Sequence, residues 1–213
     1  MDHIPASRRR LRARHLLGCL LAAAPLLSFG DPGADAGQAR AWRVVVEGGY
    51  DRGLSDAAWL TYPDGRQQRL AANGGLRLAA GALVALGAGR DWELQGTVGW
   101  KTGGIGPPDE GLRFQAFPCE VLASRLWPRW RLSAGASLAL GPRLEASSTY
   151  GYQARSYQAA LGLLAQADVL ATDPASGARA SLGVRFDWKT LVANDGGPGT
   201  RASAIGVTTG IAF

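Results

Sequence analysis

The residues able to hold or move a proton lie in an unusual pattern: Arg43, Glu47, Arg77, Glu93, Lys101, Glu120, Arg131, Asp168, Arg185, Asp187 and Lys189 each directly follow an apolar residue. Histidine, the usual general base and metal ligand near neutral pH, occurs only as His3 and His15. If a leader covering those positions is removed, Ser-His pairs, a His general base and His-ligated metals are all excluded. Hydrolysis of lipid would then have to use Ser, Asp or Glu alone. No catalytic residue, metal ligand or cofactor site is assigned.

Six bases (Arg43, Arg77, Lys101, Arg131, Arg185, Lys189) face five acids (Glu47, Glu93, Glu120, Asp168, Asp187) in this set, with Gln95, Gln158 and Gln166 among them. In a narrow, closed interior such charges are tolerable only when paired and hydrogen-bonded, so they predict a salt-bridged plug rather than an open channel or a proton relay.

The elements that must position them are strands. From Trp42 the apolar period is 2, recurring in segments of about ten residues separated by turn-formers. Trp42, Val44, Val46 and Tyr50 oppose Arg43, Glu47 and Asp51. Leu76, Leu78, Ala80, Ala82, Val84 and Leu86 oppose Arg77, Ala79 and Gly81. Further segments begin near Trp92, Leu112, Trp130, Tyr157, Leu182 and Arg201, the last with Ile205, Val207, Thr209, Ile211 and Phe213 in one phase. In the fourth, Leu112 and Phe114 are out of phase with Phe117, Cys119, Val121 and Ala123, which predicts a bulge near Pro118.

Eight such segments predict an all-β, eight-stranded antiparallel up-and-down transmembrane barrel over residues 41–213. Short turns at 87–91, 127–129 and 172–177 alternate with longer loops at 52–74, 103–111, 141–155 and 191–200. The short-turn side, which carries both strand termini, is expected to be periplasmic. Trp42, Trp92, Trp127 and Trp130 fall at that side and Tyr50, Trp100, Tyr157 and Trp188 near the other, as two aromatic belts. The longest loop contains a hairpin, 57–62 and 66–71, expected to extend the barrel wall beyond the membrane. The rival fold is a soluble lipocalin-like barrel, which would place apolar residues inside.

Residues 1–36 have the order of a secretory signal peptide: a basic stretch at Ser7 to Arg14, an apolar core at Leu16 to Leu27, and Ala34-Asp35-Ala36 as a cleavage site, with cleavage anywhere in 30–39. Leu16-Leu17-Gly18-Cys19 raises lipoprotein processing and Ser7-Arg8-Arg9 twin-arginine export; the ordinary secretory route is favoured over both. Removal takes five bases and three acids from the totals of 23 and 17, leaving 18 and 14. Those bases are dispersed and form no stripe for nucleic acid. Only Cys119 would remain, so no internal disulfide is expected.

The phased C-terminal run Ile205, Val207, Thr209, Ile211 and Phe213 resembles the assembly signal of outer-membrane barrels, implying recognition by the barrel-assembly machinery. Val46 to Asp51, Tyr62-Pro63-Asp64-Gly65, Gly75 to Gly81, Gly96 to Lys101 and Phe117-Pro118-Cys119-Glu120 are similar to an OmpW/OmpA-like group of small barrels. That resemblance implies an outer-membrane location, lipid as the surrounding partner and a monomer, without naming a ligand. The expected function is a non-enzymatic barrel contributing to envelope structure or surface contact. The alternatives are a conduit for small apolar molecules, for which Gly81, Leu83, Gly162 and Leu164 are the inward positions available, and a lipid-acting enzyme.

Overall fold

In the computed structural model the described residues are 42–61, 65–87, 90–106, 111–148, 151–172, 178–196 and 199–213. The proposed signal peptide lies outside them, as do parts of the predicted loops. The described chain from Trp42 onward forms one compact unit.

The described residues form twelve strands: β1 Trp42–Gly53, β2 Asp56–Thr61, β3 Gln67–Ala71, β4 Gly75–Leu86, β5 Trp92–Ile105, β6 Gly111–Leu126, β7 Trp130–Ser148, β8 Gly151–Ser156, β9 Ala160–Thr172, β10 Arg179–Leu191, β11 Thr200–Arg201 and β12 Ala204–Ala212. Eight of them make the wall. In the order β1, β4, β5, β6, β7, β9, β10, β12 each pairs antiparallel with the next, and β12 pairs back onto β1 from Val45↔Ala212 to Gly53↔Ala204. This is a closed up-and-down barrel, as the eight apolar segments predicted. Closure satisfies the ladder groups of every wall strand, so no edge is left open.

Period-2 patterning determines which side each residue takes. β12 alternates buried and exposed along its whole length, with Ile205, Val207, Ile211 and Phe213 pointing out and Ala204, Thr208 and Ala212 pointing in. On β10, Leu182, Val184, Phe186 and Trp188 are exposed while Arg185, Asp187 and Lys189 are buried. The exterior is therefore apolar and the interior charged, which is the reverse of a lipocalin-like barrel.

The fourth segment departs from expectation. β6 alternates without interruption, and Leu112, Phe114, Ala116, Glu120 and Leu122 are all buried on one phase. The irregularity falls on the neighbouring strand, where the register moves from Phe117↔Leu140 to Gln115↔Arg143. The extra residue lies at Gly141-Pro142, with Gly141 in the left-handed region (φ 54°). Glycine takes that conformation without a Cβ penalty, and the proline gives up no ladder hydrogen bond at a bulge. Leu112 and Phe114 are thus interior residues rather than misplaced exterior ones.

The predicted hairpin forms as β2 and β3, but as a separate two-stranded sheet rather than a continuation of the wall. Its closing end turns inward, burying Leu70 and Ala72 completely. The reason is local: Gln67, Gln68 and Arg69 stay exposed, so Leu70 is the side chain with most to gain by leaving water. The wall itself is prolonged instead by β8 on β7 and by β11 on β10.

Candidate functional site

Ten of the eleven charged residues assigned to the lumen from sequence are buried inside the barrel; Arg43, at the short-turn rim, is half-buried and makes no ion pair among the described residues. Two further charges join them, Asp51 and Arg179. Among the described residues the buried carboxylates are Glu47, Asp51, Glu93, Glu120, Asp168 and Asp187, and the buried cations are Arg77, Lys101, Arg131, Arg179, Arg185 and Lys189. Six against six leaves the interior with no net charge, which is the condition for burying so many ions at once.

The ions form a ladder along the interior, a separate pair at the short-turn end and a linked network beyond it. At the short-turn end Arg179 Nη2 donates to both carboxylate oxygens of Glu93, at 2.8 and 2.7 Å. Next, Arg131 Nε donates to Asp168 at 2.9 Å and its Nη1 to Gln95 at 3.2 Å, while Gln95 donates to Glu47 at 2.9 Å. At mid-height Arg77 lies between Glu47 (3.4 Å) and Glu120 (3.5 Å) and donates to Thr208 at 2.9 Å. Arg185 grips Glu120 through two parallel bonds of 3.0 and 2.7 Å, the fork geometry that makes such pairs strong. Toward the loop end Lys189 pairs with Asp187 at 2.9 Å and Lys101 with Asp51 at 2.5 Å.

Small cross-strand partners make room for these side chains. Asp51 lies opposite Gly206 on β12, and Asp168 opposite Gly183 on β10. A Cβ at either glycine would collide with the carboxylate beside it and with the adjacent backbone. The glycines are therefore part of the charge network, each vacating the space that an acid fills.

Above the ladder the interior becomes apolar. Leu70, Ala72, Leu112, Phe114, Ala116, Ala139, Tyr157, Ala160, Leu191, Ala193 and Ala202 form one buried cluster across the loop-side mouth. Tyr157, expected in the outer aromatic belt, belongs to this cap because residues 158 and 159 break the strand and shift its phase; its backbone bridges Ala193. Gln158, expected in the lumen, is exposed for the same reason. The inward apolar positions are more numerous than Gly81, Leu83, Gly162 and Leu164, and include Val45, Phe114 and Leu122.

Asn73 joins the cap to the ladder. It is buried, with its backbone in the left-handed region at φ 59°, which asparagine tolerates better than most residues. Its amide donates to Asp187 at 2.8 Å and to the Ala202 carbonyl at 3.1 Å, and its oxygen accepts from Lys101 at 2.9 Å. The β2–β3 hairpin is thereby fastened to the lumenal charges through one side chain. Asn73 falls in the predicted 52–74 loop, Asp51 on the correct face but outside the predicted network, and Arg179 between the predicted 172–177 turn and the segment that begins near Leu182. Asp51 carried a signal, the alternation that sets it opposite Tyr50, and so did Arg179, which shares the phase of Arg185, Asp187 and Lys189.

Such an arrangement can hold charge rigidly, and it places the Ser137 hydroxyl 3.4 Å from Asp187 Oδ1. No group of metal-ligating side chains occurs among the described residues.

No protein-family model and no curated protein matches the sequence. Among solved structures, the chain is similar to Neisserial surface protein A, at 12% sequence identity and a TM-score of 0.49, over 82% of this chain and 97% of that one.

Proposed function

We propose that this protein is a monomeric, non-enzymatic outer-membrane barrel, plugged along its axis, that contributes to envelope structure and offers its loop end for surface contact. The observation carrying this reading is the joint polarity of the wall and the lumen. A continuous apolar exterior with Trp92, Trp127 and Trp130 at one rim and Tyr50, Trp100 and Trp188 toward the other suits a bilayer. A neutral six-by-six ion ladder under an apolar cap suits a filled interior. Kinship with OmpW/OmpA-like barrels and recognition of the Ile205 to Phe213 run by the assembly machinery are part of this proposal. A conduit for apolar solutes is less well supported, because the inward apolar side chains pack on one another and the wall is paired at all eight interfaces.

Two measurements test it. Fractionation of the producing cell should find the protein in the outer membrane, folded and heat-modifiable on gels. In planar bilayers the purified barrel should give no steady channel; stable nanosiemens-scale conductance would overturn the plugged lumen.

A further inference from the structure

At the short-turn rim the outward-facing cations are unevenly placed. Among the described residues they are Arg90, Arg125 and Arg129, all on or beside the β4–β5 and β6–β7 turns. Arg179, the rim cation of β10, turns inward to Glu93. The same sector carries three exposed tryptophans, Trp92, Trp127 and Trp130. Hydrogen bonding fixes the sector as one surface: Leu126 N donates to Asp91 O at 2.8 Å, tying one turn to the other, and Trp127 and Trp130 close the second turn through reciprocal backbone bonds.

Within that surface Arg125 stands over the Trp92 ring, 5.3 Å from its centroid, and pairs with Asp91 at 2.6 Å. Trp92 and Arg125 are direct cross-strand partners, and Leu132 continues the row on β7. Arg90 has its backbone in the left-handed region at φ 51°, a conformation costly for an arginine and held by the bond from its N–H to Gly87 O at 3.2 Å. Three cations against one carboxylate leave the surface at +2, with flat aromatic faces directly adjoining. Indole rings seat at the headgroup level, and guanidinium groups bind phosphate through paired N–H donors.

We propose that this sector is a docking site for the phosphate headgroup of an anionic glycerophospholipid in the leaflet beside the short turns. The proposal rests on the membrane reading above. Arg90 and Arg129 supply free guanidinium donors, Arg125 is held upright by Trp92 and Asp91, and the tryptophans flank the glycerol and upper acyl chains. Among the described residues the rest of this rim carries Trp42 and Phe213 but no outward-facing cation.

The test uses tryptophan quenching by brominated acyl chains, with the barrel in phosphatidylcholine bilayers that contain a minor share of either brominated phosphatidylglycerol or brominated phosphatidylcholine. The parent should prefer the anionic lipid by about threefold or more, since each basic residue near the surface adds a modest attraction. R90Q/R125Q/R129Q should lose that preference, R90K/R125K/R129K should keep most of it, and R52Q/R113Q/R201Q, on the loop side, should be unchanged. Unboiled gel mobility checks that each variant is folded. Equal quenching by the two lipids in the parent, or an undiminished preference in the Gln triple variant, would overturn the site. Absence of quenching by either lipid would instead overturn the membrane reading.

Discussion

At the residue scale, the cost of an ion depends on what surrounds it. Arg185 is buried and gripped by Glu120, with Asp187 4.0 Å away, so Arg185→Glu places a third carboxylate among two and leaves Glu120 without its strongest partner. A loss of about 3–5 kcal/mol in unfolding stability is expected. Arg66→Glu, on the exposed hairpin, should change stability by less than about 0.5 kcal/mol. Denaturant titration in detergent separates the two; equal losses would mean the ladder is not what stabilises the lumen. Asn73 permits a finer experiment. Asn73→Gly keeps the left-handed backbone but removes three hydrogen bonds, whereas Asn73→Ala also strains the turn. Both should speed trypsin cleavage at Arg66 and Arg69, roughly tenfold if about 1.4 kcal/mol of local closure is lost, with Ala the faster. The barrel itself should keep its heat-modifiable mobility.

At the element scale, strands are specified by alternation, and the informative departures are those where alternation changes phase. β7 changes phase at the Gly141-Pro142 bulge, which turns Leu144 and Ala146 inward to pack against the cap. From sequence the slip was assigned to β6, because two large apolar residues, Leu112 and Phe114, share the phase of Glu120. An interior that is charged below and apolar above makes both choices correct on one strand. β12 illustrates the simpler case, since every residue on its outward phase except Thr209 and every inward one fits its side. Strand pairing with both β1 and β10 is needed to close the wall, so Phe213 is expected to matter in assembly and then at the short-turn rim. Its N–H and carbonyl already bond to Val44 at 3.1 and 3.0 Å. Deleting Phe213 should lower the fraction of protein showing the fast unboiled band and raise the protease-sensitive fraction. Ala212→Ser, directed inward, should do neither; similar assembly of both variants would remove the assembly-signal proposal.

At the scale of the whole molecule, the lumen and the cap divide one interior into a neutral ion ladder and an apolar plug, with each buried carboxylate among the described residues paired to at least one buried cation. Purified protein should therefore show no turnover of phospholipid, lipid A or peptide above background. Hydrolysis abolished by changing a single Ser, Asp or Glu would contradict the non-enzymatic reading. The sequence by itself determined the eight wall strands and the side to which most of their side chains point, because period-2 patterning is a local property, but not β8 and β11, which prolong β7 and β10. It likewise determined ten of the buried charges. Alternation alone is symmetric between the two faces, so the choice of the charged face as interior rests on the aromatic belts and the C-terminal run, and the burial of Glu47, Arg77 and Arg185 agrees with it. The partners Asp51 for Lys101, Glu93 for Arg179 and Asp187 for Asn73 are 50, 86 and 114 residues apart. So are the apolar positions of the cap, drawn from the hairpin, β6, β7 and the β10–β12 connection. Contacts of that range arise only when shear and strand number fix which rungs meet across the lumen, and no spacing along the chain encodes them.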